Sequence, residues 1–175
     1  MTGDSEGREP VKVPTTAAFR SQLVTAEQRQ LYDYWQEKRG KNPLPARADI
    51  SPADFPRLLP NVSLVEPAAP PAAFTVRLAG TKLREVYGRE ITGIPVHELE
   101  PEAQPVYWSG IYNQVAETLS PAQGVVRAPA AGHDHLVQFW LRLPLGTADG
   151  KLQMILGLDL FVPATEMAEQ QTICA

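Results

Sequence analysis

The stretch HLVQFWLRLPLGTADGKLQMILGLDLFV, residues 135–162, predicts a long β-hairpin. Residues 135–145 and 151–162 are two apolar runs of strand length, bounded by turn residues. Between them, GTADG contains Asp149 and Gly150, a pair typical of tight hairpin turns. The last part of the chain therefore contributes two neighbouring antiparallel strands to a sheet.

Three shorter strands are predicted before this hairpin, over residues 61–67, 73–80 and 124–130. In the second of them, Phe74, Val76 and Leu78 alternate with polar residues, as in a half-buried strand. The pattern thus predicts five strands in all.

The 17 prolines of the chain lie between the predicted elements, and the windows that they spare predict the helices. The best helix covers 106–120, and a shorter one covers 81–88. A third helix covers about 25–39, with Thr25 and Gln28 spaced as a capping box and Gly40 at its end.

This order of elements predicts an α+β fold: a five-stranded antiparallel sheet with a helical crossover on one face and an N-terminal flanking helix. A length of 175 residues suits one domain. We expect that domain to span 17–163, with a disordered arm over 1–16 and a tail over 164–175.

Composition excludes several classes of function. The net charge of −4 gives no reason to expect a nucleic-acid surface. One cysteine, Cys174, excludes an internal disulfide and a multi-thiolate metal site. No apolar run approaches the ~20 residues of a membrane span, and the acidic N-terminus does not resemble a signal peptide. We therefore expect a cytoplasmic protein.

Two stretches carry a resemblance to a known family. They are YWQEKRGKNPLPARADISPADFPRLLPNVSLVE, starting at Tyr34, and FTVRLAGTKLREVYGREITGIPVHEL, ending at Leu99. From Tyr34 to Leu99 the chain resembles a bacterial family of stand-alone PAS-like proteins common in alphaproteobacteria; after residue 100 the resemblance is architectural. It implies a PAS-like fold and a sensory or protein-interaction role.

The resemblance also bears on cofactors. Flavin-binding photosensors of the PAS type need a cysteine soon after the position of Gly88 and Arg89, where this chain has Glu90-Ile91-Thr92. Haem-binding PAS domains usually take a histidine from the long helix, and 106–120 contains none. We therefore expect neither cofactor, and an unidentified small-molecule ligand stays open.

The predicted pocket lies between the sheet and the crossover. Its candidate residues are Arg77, Tyr87, His97, Trp108, Tyr112 and Phe139. A cavity arginine at Arg77 would select an anion, although an exposed position on the sheet is an equal alternative. Phe139 and Trp140 are adjacent on one strand and must point to opposite faces.

The member of that pair on the outer sheet face would form an interaction patch. Candidate interface residues are Leu31, Tyr34, Trp35 and Trp140. We expect these residues to form a homodimer, and a regulatory protein partner is possible. The alternative is that the flanking helix packs on its own sheet. Arg47 and Asp49 lie in a loop between Pro45 and Pro52. Either they contact a partner or a ligand at the surface, or, as we prefer, they pair with each other and hold the loop against the domain.

Three functions follow. The preferred one is a sensory or regulatory module that binds a small molecule or a partner and has no catalysis of its own, since hydrolase, phosphate-loop and metalloprotease motifs are missing from the sequence. The second is a purely structural interaction domain with a self-filled pocket. The third is a small metal-dependent enzyme using His133, Asp134 and His135.

Overall fold

The computed structural model describes residues 15–70, 73–101, 104–128 and 135–166. The α-helices of this part of the chain are α1 (Thr16–Ser21), α2 (Ala26–Arg39), α3 (Thr81–Tyr87) and α4 (Tyr107–Thr118). The strands are β1 (Val62–Pro67), β2 (Phe74–Ala79), β3 (Ala122–Arg127), β4 (Leu136–Gly146) and β5 (Leu152–Pro163).

The described residues form one five-stranded sheet in the order β2-β1-β5-β4-β3, with every neighbouring pair antiparallel. The predicted α+β fold is confirmed. The longest pairing is the β4–β5 hairpin, which places Trp140 opposite Asp159 and Arg142 opposite Gly157. Its turn closes through a hydrogen bond from the Thr147 N–H to the Lys151 carbonyl.

Helix α2 begins and ends where the sequence predicts. The Thr25 side chain accepts a hydrogen bond from the Gln28 N–H at 3.1 Å, and the Gln28 side chain accepts one from the Thr25 N–H at 3.1 Å. Gly40, at φ +54°, ends the helix in a conformation that favours glycine. Helix α1 starts at Thr16, the last residue of the predicted arm, and residues 1–14 lie outside the described residues.

Helix α2 covers the sheet face that carries Leu141, Leu143 and Leu145, which we call the outer face. The Trp35 indole N–H donates to the Pro144 carbonyl at 2.9 Å, and the Gln28 side chain donates to the Trp140 carbonyl at 3.1 Å. The flanking helix is therefore bonded to the backbone of β4 and forms a core with its own sheet.

The opposite, inner face carries Gln138, Trp140 and Arg142, which alternate with the leucines along β4. The crossover between β2 and β3 covers it, through α3, a 3-10 helix over Val96–Leu99, and α4. Across the described parts of the chain, no helix is both long and apolar enough to cross a membrane.

Candidate ligand cavity between the sheet and the crossover

An ion pair lies at the centre of the inner face. The Arg142 guanidinium donates from Nη2 to Asp159 Oδ1 at 2.8 Å, and the two side chains are 4% and 1% exposed. The Gln138 amide donates to the same carboxylate oxygen at 2.7 Å. Arg142 Nη1 donates to the backbone carbonyl of Leu141 at 3.0 Å. Each charge is thus balanced by the other and held by further hydrogen bonds.

Aromatic rings surround the guanidinium. Its central carbon lies 4.8 Å from the centre of the Trp108 ring, 5.4 Å from that of Tyr112 and 5.7 Å from that of Trp140. Trp108 and Tyr112 come from α4 of the crossover, so cation–π contacts join α4 to β4. The arginine is therefore fixed from the sheet side and from the helix side.

A cavity of about 30 Å³ lies beside this ion pair. Ser63, Gln138, Arg142 and Asp159 line its sheet side, whereas Tyr87, Leu99, Trp108 and Tyr112 belong to its crossover side. This volume has room for about two water molecules.

Four buried polar atoms that belong to residues of the lining have no hydrogen-bond partner in the described part of the chain. They are Trp108 Nε1, Gln138 Oε1, Arg142 Nε and Asp159 Oδ2, and we call them the four open atoms. Two are donors and two are acceptors. Leaving such groups without partners costs free energy, so their occurrence around one cavity indicates a place for a hydrogen-bonding molecule.

A glycine makes room for the arginine. Gly157 lies opposite Arg142 in the β4–β5 pairing, and a Cβ atom there would collide with the Ser63 hydroxyl and lie 3.1 Å from Arg142 Nη1. The inner face of β5 is therefore bare at the point where the guanidinium crosses it.

The tyrosines of the lining stay protonated at neutral pH. Burial raises the pKa of Tyr112 to about 12, although the positive charge of Arg142 acts in the other direction. Burial also raises the pKa of Tyr87, and the negative charge of Asp159 adds to the increase. Burial acts most strongly on the pKa of Arg142 and would lower it, but the charge and hydrogen bond of Asp159, together with Tyr112 and Tyr87, leave that pKa above its ordinary value. The cavity therefore contains one cation, one anion and neutral phenols.

The structure brings together three of the six predicted pocket residues: Tyr87, Trp108 and Tyr112. Arg77 is exposed and lies on β2, the edge strand of the sheet. The register between β1 and β2 shifts at this point, so that Arg77 has no partner residue in the β1–β2 ladder. The prediction of Arg77 as a cavity residue is therefore wrong, and Arg142 is the arginine of the cavity.

His97 is also exposed, which corrects its prediction as a pocket residue. In its 3-10 helix, Val96 and Leu99 are buried three residues apart, so that His97 between them points away from the core. It lines a separate surface groove together with Phe74 and Ser109.

The assignments of Phe139 and Trp140 are reversed. Phe139 alternates with the inner residues of β4 and lies on the outer face, opposite Leu160 of β5. Trp140 lies on the inner face, is 2% exposed, and donates its indole N–H to the Tyr107 hydroxyl at 2.9 Å. Phe139 is therefore outside the predicted pocket, and Trp140 is not an exposed interface residue.

The remaining interface candidates already make contacts with other residues of the same chain. Leu31 and Trp35 are 0% and 1% exposed, because they pack on the outer face of their own sheet. Half-buried Tyr34 donates to the Asp54 carboxylate at 2.8 Å and accepts from the Ser51 N–H at 2.9 Å. These residues attach α2 to its own sheet and to the loop between α2 and β1, which corrects their prediction as a dimer surface. The homodimer itself stays a prediction.

The two charged residues of the proline-framed loop contact the backbone. Arg47 donates to the Ile50 carbonyl at 3.0 Å, and the Asp49 carboxylate accepts from the Ala46 N–H at 3.1 Å. The hydrogen bonds of both side chains hold the loop backbone in place, which favours a structural role over ligand binding.

Of the three residues of the metal hypothesis, His133 and Asp134 lie outside the described residues. His135 directly precedes β4. Within the ranges that the structure describes, no group of three histidine, cysteine, aspartate or glutamate side chains could hold a metal ion.

A protein-family model described as a PAS domain (PAS_5) matches residues 24–160, which is more than half of the chain. The chain therefore belongs to this PAS domain family, whose members are generally sensory or signalling modules. No curated protein matches it in sequence.

Solved structures share the fold at low sequence identity. The structure described as "Flavin Analogue Sheds Light on Light-Oxygen-Voltage Domain Mechanism" has a TM-score of 0.54 and 11% identity, over 69% of this chain and 90% of that one. The LOV protein of Rhodobacter sphaeroides has a TM-score of 0.51 and 15% identity, over 70% of this chain and 74% of that one. An RNA-binding light-oxygen-voltage receptor has a TM-score of 0.53 and 13% identity, over 69% of this chain and 36% of that one. At such identities the likeness concerns the fold alone.

Sequence reasoning missed Gln138, Arg142 and Asp159. A signal was present, since Leu141-Arg142-Leu143 and Leu158-Asp159-Leu160 each place a charge inside an otherwise apolar strand. A charge in such a position is rarely buried without a partner. Pairing the two strands through the Asp149-Gly150 turn would have brought these two charges close together.

Proposed function

We propose that this PAS domain is a sensory or regulatory module that binds a small molecule in the cavity beside Arg142 and Asp159 and has no catalysis of its own. The observation that carries the proposal is the set of four open atoms on residues that line one cavity, whose two walls belong to different layers of the fold. A molecule bound there would contact the sheet and the crossover at once.

The connections of β4 supply a route for a response. Arg142 on its inner face contacts Trp108 of α4, while backbone carbonyls of the same strand accept hydrogen bonds from Gln28 and Trp35 of α2. A ligand that favours one packing of the crossover would shift the population toward it by its differential affinity. We expect the flanking helix to report that shift.

We also infer that the cavity beside Arg142 does not hold a flavin. Cofactor sites have volumes of ~300–1,000 Å³, against a cavity of about 30 Å³ here. In the sequence, Glu90-Ile91-Thr92 stands where a photoreactive cysteine would follow Gly88, and the one cysteine is Cys174.

A cavity-filling variant tests the proposal. Val76 lines the cavity, and Val76→Ile adds one methylene to it. In a thermal-shift screen of small metabolites, compounds that stabilise the wild type should stabilise Val76→Ile much less. Val62→Ile, on the outer face, is the matched control and should respond like the wild type. Equal stabilisation of all three proteins would contradict binding in this cavity.

The small size of the cavity favours a second candidate, a structural interaction domain whose pocket is filled by its own Trp108, Tyr112 and Arg142. It predicts that no metabolite in the screen stabilises the wild type. Its partner surface would lie outside the outer face, because α2 already covers that face.

A further inference from the structure

The charge balance and donor pattern of the cavity point to the chemical class of its ligand. We infer that the cavity takes a small, neutral, planar molecule that carries a hydrogen-bond donor beside an acceptor, as a carboxamide does. This inference rests on the proposed function and specifies the ligand of the same site.

Charge is the first argument. A buried arginine alone would select an anion, but Asp159 lies 2.8 Å from Arg142 and neutralises it. Among the described residues that line the cavity, no other is an aspartate, glutamate, lysine, arginine or histidine. An ionic ligand would therefore lose its hydration without gaining a counter-charge, which is a large cost in a buried site. A neutral ligand avoids this cost.

The hydrogen-bonding pattern is the second argument. Arg142 Nε and Trp108 Nε1 can donate, whereas Asp159 Oδ2 and Gln138 Oε1 can accept. The amide of Gln138 is oriented by its donation to Asp159 Oδ1, because the reverse orientation would oppose two acceptor oxygens. A carboxamide has a carbonyl for the two donors and an NH₂ group for the two acceptors.

Size and shape are the third argument. The volume of about 30 Å³ corresponds to about two water molecules and so to a ligand of few atoms, such as formamide or acetamide. The walls include the rings of Tyr87, Trp108 and Tyr112, whose flat surfaces suit a planar group. An amide is planar, since its C–N bond has partial double-bond character.

The three tryptophans of the chain make the inference testable by NMR. The indole N–H of Trp35 donates to Pro144, and that of Trp140 donates to Tyr107. Trp108 Nε1 is one of the four open atoms. In ¹H–¹⁵N spectra of the full chain, acetamide should therefore shift the Trp108 indole resonance saturably, with a dissociation constant on the order of millimolar, and shift the other two much less.

Acetate and acetamidinium are the matched probes, because they have nearly the shape of acetamide but carry a negative and a positive charge. We expect each to bind at least about tenfold more weakly than acetamide. A Gln138→Leu variant should weaken acetamide binding by a similar factor, whereas Gln123→Leu on β3, outside the cavity lining, should leave it unchanged.

The outcomes separate this inference from the proposed function. If acetate or acetamidinium shifts the Trp108 resonance saturably and acetamide does not, the carboxamide class is wrong and the cavity remains a ligand site. If none of the three probes shifts it, the inference is overturned, and the Val76→Ile screen decides the proposed function independently. Should Gln138→Leu fail to fold, the three-probe comparison on the wild type still decides.

Discussion

At the scale of single residues, Asp159 and Arg142 explain why a polar centre persists inside an apolar sheet. Each is buried, and each would be an uncompensated charge without the other. Replacing such a pair with apolar residues is often neutral or stabilising in proteins, so stability alone does not account for it. We infer that the pair instead determines which molecules can share the cavity.

Asp159→Asn should lower the free energy of unfolding by about 3–5 kcal/mol, because it leaves the Arg142 charge buried without a counter-charge. Urea denaturation measures this change. Asp33→Asn is the matched control: it breaks the pair with Arg20, whose side chains are about half exposed, and should have little effect.

The double variant Arg142→Met with Asp159→Leu should recover most of the stability lost in Asp159→Asn, since no buried charge remains, and it should abolish the Trp108 response to acetamide. A double variant as unstable as the single one would show that the pair is required for packing rather than for ligand recognition.

At the scale of the elements, the position of α4 depends on a residue outside the helix. The Glu100 carboxylate accepts hydrogen bonds from the Trp108 N–H at 2.6 Å, the Ser109 N–H at 2.8 Å and the Ser109 hydroxyl at 2.6 Å. These groups lie in the first turn of α4, where N–H groups have no partner within the helix. Glu100 thereby holds the end of α4 that carries Trp108 over the cavity.

Glu100→Ala should lower the free energy of unfolding by about 1–2 kcal/mol, as expected for loss of an N-cap, and should speed hydrogen exchange in the first turns of α4. Glu98→Ala removes an exposed carboxylate two residues away and serves as the control. Equal effects of the two variants on α4 exchange would contradict the capping role.

The elements were largely predictable from the sequence, and the contacts between them were only partly so. Periodicity and turn residues identify α2, α4 and the β4–β5 hairpin, because these signals are local. The Glu100 cap lies well before α4 in the sequence, and the exposure of Arg77 depends on a register shift with β1. Both depend on tertiary contacts, which no local pattern contains.

At the scale of the whole molecule, the sheet is covered on both faces. The crossover covers the inner face, and α2 covers the leucines of the outer face. The sequence predicted both layers but left open whether the flanking helix packs on its own sheet. Leu31 and Trp35 on α2 have the same pattern in either arrangement, so their spacing could not distinguish them.

Deleting residues 1–39 should expose Leu141, Leu143 and Leu156 and cause the protein to self-associate, because large exposed apolar surfaces drive association. Light scattering measures the molar mass of the particles in solution, and therefore the self-association. Deleting residues 1–14, which precede α1, is the control and should leave the size as it is in the full chain. A 1–39 deletion of unchanged size would show that α2 is dispensable as a cover.

The β4–β5 hairpin supplies Gln138, Trp140, Arg142 and Asp159 from one continuous stretch, while the rings above them come from the crossover. Under the proposed function, the polar groups of the sheet that recognise the ligand and the helix α2 that reports it are therefore encoded in separable segments of the gene. We therefore expect substitutions between residues 136 and 163 to change which ligand binds without altering α2, and changes in α2 to alter the response without altering ligand binding. A domain built in this way can acquire new signals and new outputs independently during evolution.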